Sequence, residues 1–244
     1  MNFALIGYGK MGHTIEALGI RQGHSFPLII DEDNREELNR GRLGGIDVAI
    51  EFTIPAAAPD NIRKCIDLGL PVVSGTTGWN HRIPEIEAYC REQKGTLFHA
   101  SNFSIGVNIL FAMNKKLAEI MELFPEYRAS LSEVHHVHKK DAPSGTAISL
   151  AQQILETNPK IRAWYLKDGP QSEETDPGQL PIEALREGEV KGMHSIQYES
   201  PLDTIVLSHD AKSRDAFAAG VLLAAQFVKE RQGVFGMQDL LNIQ

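Results

Sequence analysis

Six residues near the start of the chain restrict its fold more than any other feature. Gly7-Tyr8-Gly9-Lys10-Met11-Gly12 follows the apolar run Phe3–Ile6 and opens a segment of helical periodicity. A G-x-G-x-x-G turn between a strand and a helix gives each glycine a task. Gly7 permits the tight turn, Gly9 lets the backbone approach a pyrophosphate, and Gly12 lets the helix pack close to the strand. Unpaired N–H groups at the helix start then meet the phosphates, with Lys10 adding positive charge at the mouth. Tyr8 and Met11 complete the turn and are taken with it as cofactor contacts. Asp31 closes the next apolar run, 19 residues beyond Gly12, where a carboxylate accepts bonds from an adenosine ribose. The bland alternative is a structural turn with a coincidental surface acid.

Glu32 and Asp33 follow Asp31, and the nearest arginine is Arg35. A 2′-phosphate would meet three carboxylates before any guanidinium. NADH is therefore expected as the better nucleotide, with NADPH as the other candidate.

The rest of the first hundred residues keeps the same rhythm. Short apolar runs at Pro27–Ile30, Val48–Glu51, Pro71–Ser74 and Thr96–His99 alternate with helical patterns near Met11–Gln22, Asp60–Leu68 and Arg82–Gln93. Strands without polar alternation belong in a parallel sheet covered on both faces. From Ser104 the pattern changes. A helix is expected over about Ile105–Leu123, a strand over Ala129–His136, and a helix capped by Ser144 that runs to about Glu156. Pro and Gly punctuate Gly169–Gly178. Strands then follow near Leu180–Arg186, Met193–Glu199 and Thr204–His209, alternating in character as an antiparallel sheet with one wet face would. An alanine-rich helix over about Asp215–Arg231 returns to the first domain. The expected division is 1–103 plus 214–244 for the dinucleotide domain and 104–213 for an inserted α+β domain.

Composition removes several function classes. The formal charge is -8, from 32 acidic against 24 basic residues, and no basic stripe is visible, so nucleic acid is not an expected partner. No apolar run approaches the ~20 residues of a membrane span. The opening Met1–Ile6 leaves no basic segment followed by an apolar one, so no secretory leader is expected. Cys65 and Cys90 both fall in amphipathic helical segments and read as buried thiols in a reducing compartment. A cytoplasmic protein is expected.

The chemistry concentrates in Glu133-Val-His-His-Val-His-Lys-Lys-Asp-Ala-Pro-Ser-Gly-Thr146. If the strand continued through this segment, His135 and Lys139 would share a face. An imidazole transfers protons near neutral pH, and lysines beside it favour an anionic substrate. The Ser144-Gly145-Thr146 turn adds amides and a hydroxyl suited to a carboxylate. Two other readings stay open: a solvated basic strand end, and a zinc site through His136 and His138. Nearby lysines and the lack of a cysteine speak against the metal.

These residues resemble the 4-hydroxy-tetrahydrodipicolinate (dihydrodipicolinate) reductase family over nearly the whole chain. The resemblance is carried by Gly7–Gly12, Glu51-Phe52-Thr53, Gly75-Thr76-Thr77-Gly78, Ser101–Asn108 and, most specifically, Glu133–Thr146. It implies an α/β fold: a Rossmann-like N-terminal domain with an inserted α+β substrate and oligomerisation domain on a mixed sheet. It also implies a homotetramer and a small cyclic imine dicarboxylate as substrate; no metal is expected from the residues themselves. By the match, His135 is the acid/base and Lys139 the catalytic lysine, while His136, Gly145 and Thr146 contact substrate carboxylates. Gly75, Thr76 and Thr77, with Ala100, Ser101, Asn102 and Phe103, resemble contacts near the nicotinamide. The sequence departs from longer members at Asp31–Gly45, which is short and has no basic residue directly after the acid, and at Lys167–Gly178. Two rival functions fit the architecture: another nicotinamide-dependent imine or amino-acid dehydrogenase, and a non-catalytic dinucleotide-binding sensor.

Overall fold

A computed structural model describes residues 1–167, 176 and 178–242. The chain forms two compact units, Met1–Ile105 with Asp215–Gln244, and Gly106–Arg214.

In the first unit, strands β1 (Asn2–Ile6), β2 (Ser25–Ile30), β3 (Val48–Glu51), β4 (Val72–Ser74) and β5 (Thr96–His99) pair in parallel. A short strand near the C-terminus, Gly233–Phe235, extends the sheet beside β5. Counting from that edge, the order is the short strand, β5, β4, β3, β1, β2. Chain direction across the sheet reverses between β1 and β3, where open α/β sheets leave a crevice at the carboxyl ends of the strands.

Why these runs form buried strands is visible residue by residue. Phe3, Leu5, Val48, Ile50, Val73 and Phe98 point to one face, and Ala4, Ile6, Ala49, Val72 and Leu97 to the other. The period of two thus supplies two apolar faces at once. Helices α1 (Lys10–Arg21) and α2 (Ala58–Asp67) help to cover them, with α3 (Ile83–Glu92) beside α2. Cys65 on α2 and Cys90 on α3 are free and buried in that layer. The opposite face is closed by the late helix Asp215–Val228, whose Ala218, Val221, Leu222 and Ala225 recur at helical spacing. Each fully buried Leu, Ile or Phe contributes about 1.5–3 kcal/mol, so a charge at Ile50 would break this unit.

The second unit contains α4 (Ile105–Met121), β6 (Arg128–His135), α5 (Gly145–Thr157), β7 (Ala163–Leu166), β8 (Gln179–Arg186), β9 (Met193–Glu199) and β10 (Thr204–Asp210). The sheet order is β10-β9-β6-β8-β7. Leu131, Ile182, Ile196 and Tyr198 face the apolar sides of α4 and α5, where Leu110, Ala147, Leu150 and Ile154 are buried.

Several expectations need correction. The alternation of the later strands suggested an antiparallel sheet. Only β6, β9 and β10 are antiparallel, while β8 runs parallel to β6 and β7 parallel to β8. Alternation reports one covered face and says nothing about direction. Short strands with weak periodicity were also missed: β7, and β11 (Gly233–Phe235), which precedes α7 (Met237–Leu241). The late helix is α6 (Asp215–Val228); it stops at Val228 because the chain must turn there to enter β11. Most of the Pro- and Gly-punctuated stretch at 169–178 lies outside the described residues. Among the described residues, no helix is long and apolar enough to cross a membrane.

Candidate active site

The glycine turn sits at the end of β1. Gly7 has φ +92° and donates its N–H to Ile30 O at 2.8 Å. A Cβ at Gly7 would lie 2.0 Å from Phe52 O, and one at Gly12 would lie 2.5 Å from Gly7 O. Gly9 faces open space, with nothing within 4 Å of its would-be Cβ. Gly9 caps α1 without a side-chain bond, so the first-turn amides lack partners within the helix. These are the features a diphosphate requires, and the residues present fit a dinucleotide.

Tyr8 and Gly9 line a cleft with Asp31, Glu32 and Arg35. Asp31 accepts the Glu32 N–H at 3.0 Å, and its own N–H donates to Asn34 at 2.7 Å. Asp33 is not part of the lining, so the cleft shows two carboxylates and one guanidinium rather than three carboxylates in sequence. Lys10 is exposed, Tyr8 donates to Glu16, and Met11 packs its side chain against the core. Met11 thus offers a ligand only its backbone.

A second pocket in this unit is lined by Thr76, Thr77, Ala100 and Ser101, at the ends of β4 and β5. Gly75 lies under the Phe52 ring, where a Cβ would come within 2.1 Å of it. Asn102 accepts the Ser104 N–H at 2.9 Å, which is a loop-capping role. Phe103 is only 3% exposed and stacks between Phe52 and Phe98, so its side chain is core. Beneath both pockets lies the fully buried Glu51. It accepts Ser74 Oγ at 2.6 Å, Thr76 Oγ1 at 2.9 Å, the Thr53 N–H at 3.1 Å, and the Thr53 hydroxyl. Burial pushes the Glu51 carboxyl up, and these donors oppose the shift.

In the second unit, β6 ends at His135 and a turn follows, with the Lys139 N–H bonded to His136 O at 3.1 Å. Strand periodicity therefore does not reach Lys139, and a shared strand face does not place it with His135. The same break removes the shared strand face of His136 and His138. The turn nevertheless brings the Lys139 charge close enough to lower the His135 pKa. Burial is the largest cause of that lowering, and Glu133 is the one contributor that opposes it. Lys139 Nζ itself lies 2.6 Å from Asp141.

Ser144 caps α5, accepting the Ala147 N–H at 3.2 Å. Its own N–H is spent on Glu133, at 3.0 and 3.1 Å to the two oxygens. The anion cradle is therefore narrower than the sequence suggested. Gly145 and Thr146 remain, in the first turn of α5, with open space at the Gly145 Cα.

Arg186, at the end of β8, binds this region together. It donates to Glu133 at 3.2 Å, Lys139 O at 3.2 Å and Asp141 O at 2.6 Å. His194 on β9 lies 3.1 Å from Ser144 Oγ, and burial pushes its pKa down to about 4. Glu133, His135 and His194 place potential metal-ligand atoms within 4.8 Å of one another. Arg186 and the Ser144 amide already compensate that carboxylate, and the Lys139 charge opposes a cation. The chemistry of this donor set is an ion-pair network.

Two family models match the chain: Dihydrodipicolinate reductase, N-terminus, over residues 1–103, and Dihydrodipicolinate reductase, C-terminus, over residues 106–241. A 4-hydroxy-tetrahydrodipicolinate reductase from Christiangramia forsetii is 44% identical over 243 residues, covering 99% of this chain and 98% of that protein. The chain belongs to the dihydrodipicolinate reductase family. A second reductase of that name, from Methanococcus vannielii, is 34% identical and covers 96% of this chain and 85% of that protein. Among solved structures, dipicolinate-bound dihydrodipicolinate reductase from Paenisporosarcina sp. TG-14 has the same fold. Its TM-score is 0.78 at 23% identity, with 98% of each chain covered.

For this member of the dihydrodipicolinate reductase family, residue reading alone missed four groups that organise the two sites: Glu51, Glu133 as a hub, Arg186 and His194. Glu51 and Glu133 stood inside the resembling motifs, and an acid at the end of an apolar strand was the available signal. Arg186 and His194 had none, because their partners lie some fifty residues away.

Proposed function

We propose that this chain reduces 4-hydroxy-tetrahydrodipicolinate, by way of dihydrodipicolinate, to tetrahydrodipicolinate with NADH or NADPH. The observation that carries the reading is 44% identity over essentially the whole chain to a reductase of that name. That match disfavours the other dehydrogenases and the non-catalytic sensor. The structures of an amine dehydrogenase and other dehydrogenases share the fold at only about a tenth identity.

When bound, the nicotinamide supplies a hydride to the conjugated ring. The chain's own residues do the rest. The Gly7–Gly12 turn and Asp31 hold the nucleotide, and Thr76, Thr77, Ala100, Ser101 and the Asn102 backbone orient its nicotinamide end. Gly145, Thr146 and His136 bind the substrate's carboxylates. Lys139, free to exchange Asp141 for a substrate anion, stabilises charge that develops during reduction. His135 donates the proton that completes the product.

NADH preference, a homotetramer and a cytoplasmic location belong to the same proposal. The cleft charges favour NADH, though Arg35 on the same wall weakens the bias. Replacing Asp31 with Ala should raise the NADPH/NADH ratio of kcat/KM, and light scattering should give four chains per particle. The activity is tested by generating the substrate from pyruvate and aspartate semialdehyde with the preceding synthase. Nucleotide oxidation dependent on both precursors supports the reading. Oxidation only with keto acids and ammonia would replace it with an amino-acid dehydrogenase.

A further inference from the structure

Glu133 is fully buried and has no part in the roles given above. Its Oε2 lies 3.4 Å from His135 Nδ1, and Nδ1 is buried without a hydrogen-bond partner. The carboxylate cannot swing away. The Ser144 amide holds both of its oxygens, and Arg186 holds Oε1 at 3.2 Å. Through the carbonyls of Lys139 and Asp141, the same guanidinium fixes the turn that follows His135. On the other side, the His194 ring stands edge-on to His135 at 5.1 Å.

We infer that Glu133 is a positioning residue for His135, fixing a proton on Nδ1 so that Nε2 is the nitrogen that delivers one. An acceptor-only carboxylate beside Nδ1 repels a lone pair there and attracts an N–H. The ring's other nitrogen, Nε2, lies on the side of Gly192, where a Cβ would come within 3.0 Å of it. In the transfer, the Nε2–H bond breaks, its proton goes to the carbanionic centre of the reduced substrate, and the ring is left neutral with hydrogen on Nδ1. Solvent then reprotonates Nε2. This deepens the proposed function and rests on His135 as the proton donor.

The surrounding charges explain why a carboxylate is needed. The groups that face His135 are Glu133 on β6, His136 and Lys139 on the turn, Arg186 on β8 and His194 on β9. Burial, Lys139, Arg186 and His136 all disfavour an imidazolium, and Glu133 alone favours it. His194 stays neutral above about pH 4 and adds no competing charge. Without Glu133 the ring would lose what fixes its tautomer, and its pKa would fall further.

The test is a nitrogen-15 and proton NMR titration of the histidine rings in the full-length protein, with His135 assigned from its loss in His135→Gln. In Glu133→Gln, the His135 pKa should fall by about one pH unit and its neutral tautomer should shift towards Nε2–H. The alkaline limb of kcat should move down with it, a roughly tenfold loss at pH 8, while nucleotide KM stays put. An unchanged His135 titration and tautomer overturns the inference. If the ring responds and the kcat profile does not, Glu133 still positions His135 and the proton-donor role falls instead. Should Glu133→Gln fail to fold because Arg186 is left unpaired, Glu133→Gln with Arg186→Met removes both charges together. Its His135 pKa should fall by less, and a rise overturns the inference.

Discussion

Replacing Gly7 and Gly9 separately with alanine should produce opposite phenotypes from neighbouring positions. At Gly7, φ +92° is a conformation that costs an L-residue about 1–2 kcal/mol. The new Cβ would also lie 2.0 Å from Phe52 O. That carbonyl cannot yield cheaply, because the Phe52 N–H is bonded to Ile6 O at 2.8 Å and holds the chain beside β1. Overpacking of this kind adds about 1–3 kcal/mol, for a total loss of roughly 2–5 kcal/mol. For a domain of this size that lowers Tm by roughly 4–20 °C. At Gly9, φ is -81° and nothing lies within 4 Å, so alanine should leave Tm unchanged. Its methyl instead enters the space a pyrophosphate needs, weakening NADH binding by roughly 5- to 150-fold. Thermal melts and NADH fluorescence titrations read the two effects independently. A Gly9→Ala protein that binds NADH like the wild type would mean the phosphates do not approach this turn. A Gly7→Ala protein with an unchanged Tm would refute the strain argument.

Arg186→Ala should destabilise by about 3–5 kcal/mol in urea unfolding, because it takes the guanidinium from the buried Glu133 carboxylate and leaves it the Ser144 amide and the neighbouring His135 and His194 rings. Ser144→Ala should cost about 1 kcal/mol through loss of the α5 cap, measured the same way. His194, held to about 4 by burial, binds its proton more readily in the unfolded chain than in the folded one. Stability should therefore be intact above pH 6.5 and fall as pH drops towards 4, by on the order of 3 kcal/mol. His135, also lowered by burial, acts in the same direction, so His194→Asn should flatten the slope without abolishing it.

The parallel sheet and its turn were legible because both are local. Phe3–Ile6 and Val48–Ile50 are apolar on both faces, as a strand covered on both sides of a parallel sheet is. Ser144 was readable as a cap because its bond to the Ala147 amide spans three residues. Lys139 is the instructive failure. The strand stops at His135, where the backbone turns, and nothing in His-His-Val-His-Lys marks that point. What then gathers Lys139 beside His135 is Arg186, whose bond to the Lys139 carbonyl spans 47 residues of sequence. The partners of Glu51 were hidden for the same reason, since its bonds to Ser74 and Thr76 span 23 and 25 residues, and only its place at the end of an apolar run marked it. Phe103 carries a packing role that its motif did not announce: it stands in a segment that resembles cofactor contacts, and its ring lies between Phe52 and Phe98.

The central claim is that Glu133–Thr146 is a proton-transfer and carboxylate-binding strip, with His135 as its donor. The direct measurement is kcat of His135→Gln on enzymatically generated substrate, beside the Kd for NADH of the same protein. A general acid contributes about 10²- to 10⁴-fold, so kcat should fall by that factor while Kd stays at the wild-type value. A kcat within a few-fold of wild type, with the variant folded, would contradict the account.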